Sequence, residues 1–465
     1  MSERVLFLTG RLAEKRLEKV MQDMSPTPFD WSIFNVGVKV AALMTEPILM
    51  RRLPRPIPAD RVVVPGRCRA DLSRLAQEFG VSFQRGPDEL KDLPAFFGKT
   101  GAALDLSRHA LTIFAEIVDA SQTSVEAILA RAEALCAEGA DVVDLGCLPD
   151  TPFPHLEDAV RELKANGLAV SVDSDDPDEL RRGGLAGAGY LLSLTERNLA
   201  IAGETGARPV LIPARHGDLA SLYRAAEDAE KRGLRFILDP VIDPIHFGFA
   251  ESLSRYREVR ARLPHAEMLM GTGNLTELTD ADSVGVTALL VGICSELRIA
   301  NVLTVHVSPH TRRTIQEHDA ARRIMYAAAA DHSLPRGYGR ALLQVHDQKP
   351  FPYTSGEIAE SSAQVKDDNY RIEAAEDGIH VYNRAGHFVA GDAFALFDKL
   401  GVETDGAHAF YLGAELTKAE IAFQLGKRYA QDETLDWGCA VDRRSEDRTR
   451  LSEAGHTLRP RAANE

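Results

Sequence analysis

Hydrophobic residues follow two alternating patterns through the middle of the chain. Short runs that are almost wholly apolar are separated by longer segments in which apolar positions repeat at helical spacing, as in Val125–Glu138 and Leu219–Lys231. A continuous apolar run is typical of a parallel strand buried on both faces, and the amphipathic segments are typical of helices that cover such a sheet. Between Leu111 and Val307 the pattern predicts eight strand-then-helix units. The predicted strands are Leu111–Asp119, Asp141–Gly146, Leu168–Asp173, Gly189–Leu194, Arg208–Pro213, Arg235–Pro240, Ala266–Thr272 and Asn301–Val307.

Eight such units favour a closed (β/α)8 TIM barrel over residues 105–340. An open, doubly wound sheet is the alternative that the pattern leaves standing.

The segments on either side predict two smaller α/β and α+β domains. In residues 1–100, three strand-like runs are each followed by a helical pattern, and Val81–Gln84 is a candidate fourth strand, which predicts a small doubly wound domain of Rossmann or flavodoxin type. The three runs are Val5–Thr9, Trp31–Asn35 and Arg61–Val64. That segment contains no Gly-x-Gly-x-x-Gly and no phosphate-binding P-loop, so nothing in it indicates a nucleotide. Residues 345–442 show alternating strands around a Glu376-Asp-Gly378 turn and then a helix near Ala409–Gly426, which predicts an α+β domain. Residues 443–465 are expected to form a loose tail.

Composition narrows the class of function. The net charge of −15 is spread along the 465 residues, which argues against nucleic acid as a partner. The five cysteines form no Cys-x-x-Cys pair, and this favours a reducing cytoplasm. The apolar run Val5–Leu8 is too short for a signal peptide or membrane span, so no membrane association is expected.

Polar residues stand at the carboxyl ends of the predicted barrel strands, where TIM barrels build their active sites. A carboxylate at the end of an apolar strand is costly to bury unless it is paired or binds something, so several at one mouth predict a polar pocket. The residues concerned are Asp119, Asp144, Asp173, Ser193, Asp239, Thr272 and His306.

Four segments together resemble the pterin-binding barrel of dihydropteroate synthases. They are Glu138-Gly-Ala-Asp-Val-Val-Asp-Leu-Gly146, Val170-Ser-Val-Asp173, Phe236-Ile-Leu-Asp-Pro240 and Thr304-Val-His306, in the family's order and spacing. The whole chain resembles more closely the longer synthase-related proteins of archaea and of methylotrophs that use tetrahydromethanopterin.

The resemblance implies roles for individual residues. Asp173 and Asp239 match the aspartates that hydrogen-bond the amino-pyrimidine edge of the pterin, where a carboxylate accepts paired N–H bonds. Asp144 and Ser193 belong to the same pterin pocket, and the family's fourth-strand asparagine is either replaced by Ser193 or offset along the chain. His306 matches the histidine that holds the diphosphate leaving group, and as a catalytic group it joins Asp173 and Asp239.

The departures from the synthase pattern fall on the side of the leaving group. The loop Ile117–Thr123 replaces the family's Asn-Val-Thr-Pro-Asp-Ser-Phe and puts Asp119 where magnesium diphosphate is held, so Asp119 is the one candidate ligand for Mg²⁺. Cys147–Pro152 lacks the arginine of the family's second loop, and Thr304 replaces another arginine. Gly271–Thr276 replaces a Ser-Arg-Lys motif and resembles a turn of pterin-dependent methyltransferases, which implies Asn274 beside the pterin N5.

The sequence supports two hypotheses about an activity and a third in which the protein is not a catalyst. The first is a transferase that joins a pterin-methyl diphosphate to an aminobenzene derivative in tetrahydromethanopterin biosynthesis. The second is a methyl or one-carbon transfer protein that binds a finished tetrahydromethanopterin-type cofactor, and the third is a non-catalytic pterin-binding subunit. Family resemblance also implies a homodimer.

The loop after the sixth barrel strand is long and carries further candidates. Asp243 and His246 beside Asp239 leave open a metal or acid–base cluster, although their spacing matches no known ligand pattern. We expect the loop to close over the ring instead, with Phe247 or Phe249 stacked on it. His310 and His318, at the last barrel helix, are expected to be solvated.

Overall fold

A computed structural model describes residues 2–40, 43–99 and 105–442. The chain divides into two compact units, Met1–Gly339 and Arg340–Glu465. Within the described ranges, none of the helices combines the length and the apolar character that crossing a membrane requires.

The first unit begins with a four-stranded parallel sheet in the order β2-β1-β3-β4. Its strands are β1 (Glu3–Thr9), β2 (Phe29–Asn35), β3 (Arg61–Val64) and β4 (Ser82–Arg85), and its helices are α1 (Glu14–Asp23), α2 (Glu46–Arg52), α3 (Leu72–Phe79) and α4 (Leu93–Phe96). Separate apolar clusters pack around Leu75 and around Met21, so both faces of the sheet are covered. This is the doubly wound arrangement that the sequence predicts.

The same unit continues with eight parallel strands, each followed by a helix. The strands are β5 (Thr112–Ile117), β6 (Val142–Gly146), β7 (Val170–Asp173), β8 (Tyr190–Leu194), β9 (Arg208–Leu211), β10 (Ile237–Leu238), β11 (Leu269–Gly271) and β12 (Asn301–Thr304). The helices are α5 (Val125–Glu138), α6 (Leu156–Ala165), α7 (Pro177–Ala186), α8 (Ala200–Thr205), α9 (Leu219–Lys231), α10 (Phe249–Arg262), the short α11 (Gly273–Thr276), α12 (Ser283–Leu297) and α13 (Thr314–Ala330).

Strand order shows that the sheet is a barrel. Each strand pairs with its chain neighbours, and β12 returns to pair with β5. A parallel bridge between Leu238 and Met268 joins β10 to the start of β11 and completes the ring. The prediction of a TIM barrel is therefore confirmed, and the open-sheet alternative is wrong.

The amino-terminal part of the barrel interior is an apolar layer that supports the mouth. Phe114 packs edge-on against Tyr190, with 5.0 Å between ring centroids. The buried members of this layer are Phe114, Val142, Leu192, Val210, Ile237 and Leu269. Because strand residues two apart share a face, the next inward positions along each strand belong to the mouth.

The second unit is an α+β structure with its own core. It contains α14 (Ser355–Gln364), the antiparallel strands β13 (Arg371–Ala375), β14 (Gly378–Asn383) and β15 (Gly386–Ala390), then α15 (Phe394–Phe397) and α16 (Gly406–Leu425). The predicted turn at Glu376-Asp-Gly378 joins β13 to β14, and Asp405 caps α16 by accepting the backbone N–H of His408. The predicted tail, residues 443–465, lies outside the described residues.

The largest departure from the predicted strands is β10. It covers two residues instead of the predicted six, because Pro240 has no N–H to donate and Val241 adopts a positive φ of 65°. The chain therefore leaves the barrel at Asp239 and begins the long sixth loop. The boundaries proposed for the separate domains stay predictions.

Candidate functional site

Strand register brings carboxylates from β5, β6 and β7 together inside the barrel. Glu116 pairs with Asp144, Asp144 pairs with Ser171, and Gly146 pairs with Asp173. Glu116 lies two residues after the inward-facing Phe114, so it faces the interior as well. Glu116, Asp144 and Asp173 each place a carboxylate oxygen within 4.8 Å of the others.

Burial and mutual repulsion make these three groups reluctant to ionise. Burial, and then the charge of Glu116, raise the pKa of Asp144 to about 8. Burial also raises the pKa of Glu116. The pKa of Asp173 is raised by burial first and then by the charges of Asp144 and Glu116.

The cluster of Glu116, Asp144 and Asp173 has few hydrogen-bond donors around it. Ser171 donates its hydroxyl to Oδ1 of Asp144, which is fully buried. Oδ2 of the same carboxyl has no hydrogen-bond partner, although it is shielded from solvent. Within the described part of the chain, no lysine or arginine forms an ion pair with Glu116, Asp144 or Asp173. A buried carboxylate without a cation is a costly arrangement, which indicates a site that receives a positive or hydrogen-donating group.

Two glycines keep space open around the cluster. A Cβ atom on Gly146 would lie 2.6 Å from Oε1 of Glu116, so any other residue there would require the Glu116 carboxylate to move. A Cβ atom on Gly271, the last residue of β11, would meet nothing within 4 Å. The barrel mouth is therefore open on the β11 side and filled by carboxyl groups on the β5–β7 side.

Asp239 adds a fourth carboxyl directly after β10. Its Oδ1 accepts hydrogen bonds from the Tyr256 hydroxyl at 2.7 Å and from the Val241 N–H at 2.8 Å. Burial raises the pKa of Asp239 to about 6, and these two bonds oppose the rise. Its charge is close enough to raise the pKa of Asp173. The two aspartates that the family resemblance singles out thus face one mouth.

The other residues predicted for the pterin pocket are less closely gathered. Ser193 is half-buried on β8. Asn274 donates from Nδ2 to the carbonyl of Ile242 at 2.8 Å, which ties the seventh loop to the sixth. Thr272 is buried and contacts Nε2 of His318 at 3.0 Å, so its hydroxyl serves the packing of α13.

The two residues predicted for the leaving-group side lie apart from the carboxylate cluster. Asp119 pairs with Arg131 of α5 at 2.8 Å, and half of its side chain is exposed. His306 is half-buried after β12, and no hydrogen bond joins its side chain to the described residues.

The metal alternative in the sixth loop does not fit the geometry. Both oxygens of Asp243 are engaged, Oδ2 by Arg255 at 2.7 Å and Oδ1 by His216 at 2.8 Å. Burial opposes ionisation of Asp243, but these bonds outweigh it and hold its pKa below the ordinary value. His246 is exposed, and Phe247 is 78% exposed.

The expectation that both histidines of the last helix are solvated is wrong. His318 is fully buried, because Thr314 and Thr272 supply partners for its two ring nitrogens. His310 is half-buried and contacts the carbonyl of Thr276 at 3.0 Å.

Two residues of the site escaped the sequence analysis. Glu116 lies inside an apolar strand, and the signal was its spacing of two from Phe114, which places both on the inner face. Tyr256 holds Asp239 from α10, seventeen positions further along the chain, and no local pattern indicates that contact.

Comparisons with known proteins match the first domain alone and the chain as a whole. Residues 3–88 match the model of a family described as a family of unknown function (DUF6513). An uncharacterized protein of Methanocaldococcus jannaschii, MJ0107, is 24% identical, with 92% of this chain and 98% of that protein covered.

Solved structures similar to this chain include dihydropteroate synthases. That of Thermus thermophilus is 24% identical, with 49% of this chain and 96% of that chain covered and a TM-score of 0.36. A Yersinia pestis dihydropteroate synthase in complex with a sulfonamide drug is 17% identical, with 50% and 98% covered and a TM-score of 0.39. The barrel itself is assigned from its strand order, independently of these likenesses.

Proposed function

We propose that the barrel mouth binds a pterin, with Asp173 and Asp239 accepting N–H bonds from its amino-pyrimidine edge. The observation that carries this proposal is the pair of strand-end carboxyl groups with unengaged oxygens. No described residue donates a hydrogen bond to the Asp173 carboxyl, and the donors to Asp239 both reach Oδ1, which leaves Oδ2 open.

A pterin ring suits this arrangement chemically. Its amino-pyrimidine edge presents several N–H donors in one plane, and carboxylates are acceptors that can pair with them. Removal of the ring edge from water makes such charge-assisted bonds stronger. A Cβ atom on Gly271 would meet nothing within 4 Å, so the β11 side of the mouth has free space that is available to a flat ring.

The reaction we propose is the synthase-like joining of a pterin-methyl diphosphate to an aromatic amine in tetrahydromethanopterin biosynthesis. The amine nitrogen forms a bond to the pterin methylene carbon as the C–O bond to diphosphate breaks. The amine loses a proton to solvent, and the diphosphate departs on the side of His306. Support for this role comes from the four sequence segments that match the synthases and from the place of Asp173 and Asp239 at one mouth.

A second candidate is binding of a finished reduced pterin for one-carbon transfer. The observation that favours it is the pairing of Asp119 with Arg131, because the residue at the synthases' magnesium position already has a partner. Asn274 would then face the pterin N5 from the seventh loop, after releasing the Ile242 carbonyl.

Calorimetric titration distinguishes these functions. The full-length protein is titrated with a pterin-methyl diphosphate and, separately, with tetrahydromethanopterin, each with and without Mg²⁺. A synthase should bind the diphosphate more tightly and release diphosphate when the aromatic amine is added, whereas a one-carbon transfer protein should prefer the finished cofactor. Binding without turnover by either route would indicate a non-catalytic subunit.

Variants test the residues. Asp239→Asn and Asp173→Asn should each weaken pterin binding about tenfold or more, since the amide NH₂ group places donors where the proposed carboxylate accepts N–H bonds from the ring. Asp158→Asn, on the exposed face of α6, is the matched control. Unchanged binding by both mouth variants would exclude the proposed orientation of the ring.

A further inference from the structure

We propose that Glu116, Asp144 and Asp173 together hold a divalent cation at the base of the barrel mouth. This site is distinct from Asp119, the position that the synthase pattern implies for magnesium. It does not depend on pterin binding, because all three ligands come from the chain itself. Each residue offers one carboxylate oxygen, so the second oxygen of Asp173 stays available to the proposed pterin.

The separation of the three oxygens is of the size that one hard cation can bridge. The three carboxylate oxygens lie within 4.8 Å of one another. Oxygens that share one Mg²⁺ or Ca²⁺ at about 2.0–2.6 Å from the ion are separated by at most roughly 4–5 Å. Glu116 and Asp144 are register partners on β5 and β6, and Asp173 lies on β7 two residues beyond Ser171, the partner of Asp144, so the barrel backbone holds all three ligands.

A second observation, besides the distances, is a buried oxygen of Asp144 that has no hydrogen-bond partner. Oδ2 of Asp144 is buried and has no hydrogen-bond partner, in a residue with 0% of its surface exposed. Buried polar atoms are nearly always satisfied, so an atom of this kind inside a ring of acceptors indicates a ligand that donates positive charge. Ser171 already satisfies Oδ1, which leaves Oδ2 as the free ligand atom.

The shape of the backbone preserves Glu116 in this position. Gly146 lies two residues beyond Asp144, the register partner of Glu116, and a Cβ atom there would approach Oε1 of Glu116 to 2.6 Å. A side chain at position 146 would require the Glu116 carboxylate to shift, since the backbone at Val118 is also only 3.1 Å away.

Proton sharing is the competing explanation of the cluster. Three neighbouring carboxyls can stay partly protonated, and their raised pKa values describe that state. A cation replaces the shared protons and removes the repulsion between the carboxylates. An all-oxygen ligand set without histidine or cysteine favours a hard ion such as Mg²⁺, Mn²⁺ or Ca²⁺.

Titration of the full-length, EDTA-treated protein with Mn²⁺ tests the site, with bound Mn²⁺ followed by electron paramagnetic resonance and Mg²⁺ and Ca²⁺ as competitors. We expect one site per chain, and at least a tenfold loss of Mn²⁺ affinity in Glu116→Gln and in Asp144→Asn. Asp119→Asn should bind Mn²⁺ as the wild type does, since Asp119 lies outside the cluster and pairs with Arg131. Circular dichroism and thermal unfolding establish that each variant is folded.

A further variant keeps all three carboxyl groups, so a loss of Mn²⁺ binding in it cannot be caused by a missing carboxyl. Gly146→Ala keeps all three carboxylates but crowds Oε1 of Glu116, so it should also weaken Mn²⁺ binding. The proposal is overturned if the wild type binds no Mn²⁺ up to millimolar concentration, or if Asp119→Asn loses affinity while Glu116→Gln keeps it. The Mn²⁺ titration contains no pterin. A failure to bind Mn²⁺ would therefore overturn the cation site without overturning the proposed binding of a pterin.

Discussion

At the scale of single residues, the carboxylates of the barrel mouth differ in whether an arginine neutralises their charge. Asp243 and Asp119 each have an arginine partner, whereas Glu116, Asp144 and Asp173 have none among the described residues. Paired carboxylates belong to the structure of the loops. Unpaired and buried ones require a proton, a cation or a ligand, which makes them the chemically informative groups.

Tyr256→Phe should weaken pterin binding at neutral pH without removing any carboxyl. The Tyr256 hydroxyl lowers the pKa of Asp239 from the value that burial alone would give. Loss of that bond raises the pKa of Asp239, which is about 6 in the wild type, toward neutrality and favours the protonated acid. In calorimetric titrations from pH 5 to 8, the midpoint at which affinity rises should move to higher pH.

Tyr223→Phe is the matched control for that change. Tyr223 lies on the outer helix α9 and contacts Glu258 at 3.3 Å, away from the mouth. Both variants should cost about 1 kcal/mol of stability through a lost hydrogen bond. An identical affinity profile for Tyr256→Phe and the wild type would mean that the tyrosine does not set the protonation of Asp239.

Because of His318, we expect the free energy of unfolding to decrease in mild acid. Burial lowers its pKa from 6.5 to about 4, so between these values the unfolded chain binds a proton that the folded chain does not. The free energy of unfolding therefore falls as pH decreases from about 6.5 to 4, by up to about 1.4 kcal/mol per pH unit from this group. Denaturant unfolding at several pH values, with EDTA present, measures the slope.

His318→Gln should flatten that slope, whatever its effect on stability at pH 7. His265→Gln, at an exposed position before β11, should keep the wild-type slope. Equal slopes in all three proteins would assign the acid sensitivity to other groups.

At the scale of elements, the sequence predicts the barrel well because a parallel sheet imposes a strong and repeated pattern. All eight predicted strands form, since each is a buried apolar run followed by a helix that must cover it. The same logic predicts that Asp173 and Asp239 reach the mouth, because strand ends in this fold converge.

Tertiary contacts account for what the sequence does not predict. Glu116 becomes part of the site through register with Asp144, and register depends on the neighbouring strand. His318 is buried because threonines from two other segments satisfy its ring. Asp119 also follows a strand, but it forms an ion pair with Arg131 of the next helix, α5, and does not join the cluster. Position along a strand predicts the face of a residue, but its partners lie elsewhere in the chain.

One helix closes the amino-terminal end of the barrel through a buried arginine. Arg322 of α13 is 3% exposed and donates hydrogen bonds to the carbonyls of Leu111 and Gly139. It also pairs with Asp141 and Asp319. These contacts join α13 to the starts of β5 and β6.

Arg322→Ala should therefore destabilise the protein by about 2–3 kcal/mol, because it removes a buried guanidinium that donates to two carbonyls and to the partly exposed carboxylates of Asp141 and Asp319. Arg323→Ala is the matched control on the same helix. Arg323 is more exposed and pairs with Asp319, so its loss should cost about 1 kcal/mol or less. Chemical denaturation of the two variants measures both values, and similar losses would refute the closing role of Arg322.

At the scale of the whole molecule, the chain contains two units with separate cores. In the second unit, Leu416 of α16 packs with Ile379 and Val381 of β14, and all members of that cluster belong to the same unit. In the first unit, Leu163 of α6 is fully buried in the barrel wall. Units with independent cores commonly unfold in separate transitions.

Differential scanning calorimetry of the full-length protein should accordingly resolve two transitions. Leu416→Ala should lower one and Leu163→Ala the other, since a cavity left by a buried leucine costs about 2–5 kcal/mol. A cation held by Glu116, Asp144 and Asp173 stabilises only the unit that binds it, so Mn²⁺ should raise the transition that Leu163→Ala lowers and leave the other unchanged. If Mn²⁺ and both substitutions all moved one common transition, folding of the two units would be coupled, and ligand binding in the barrel would stabilise the entire chain.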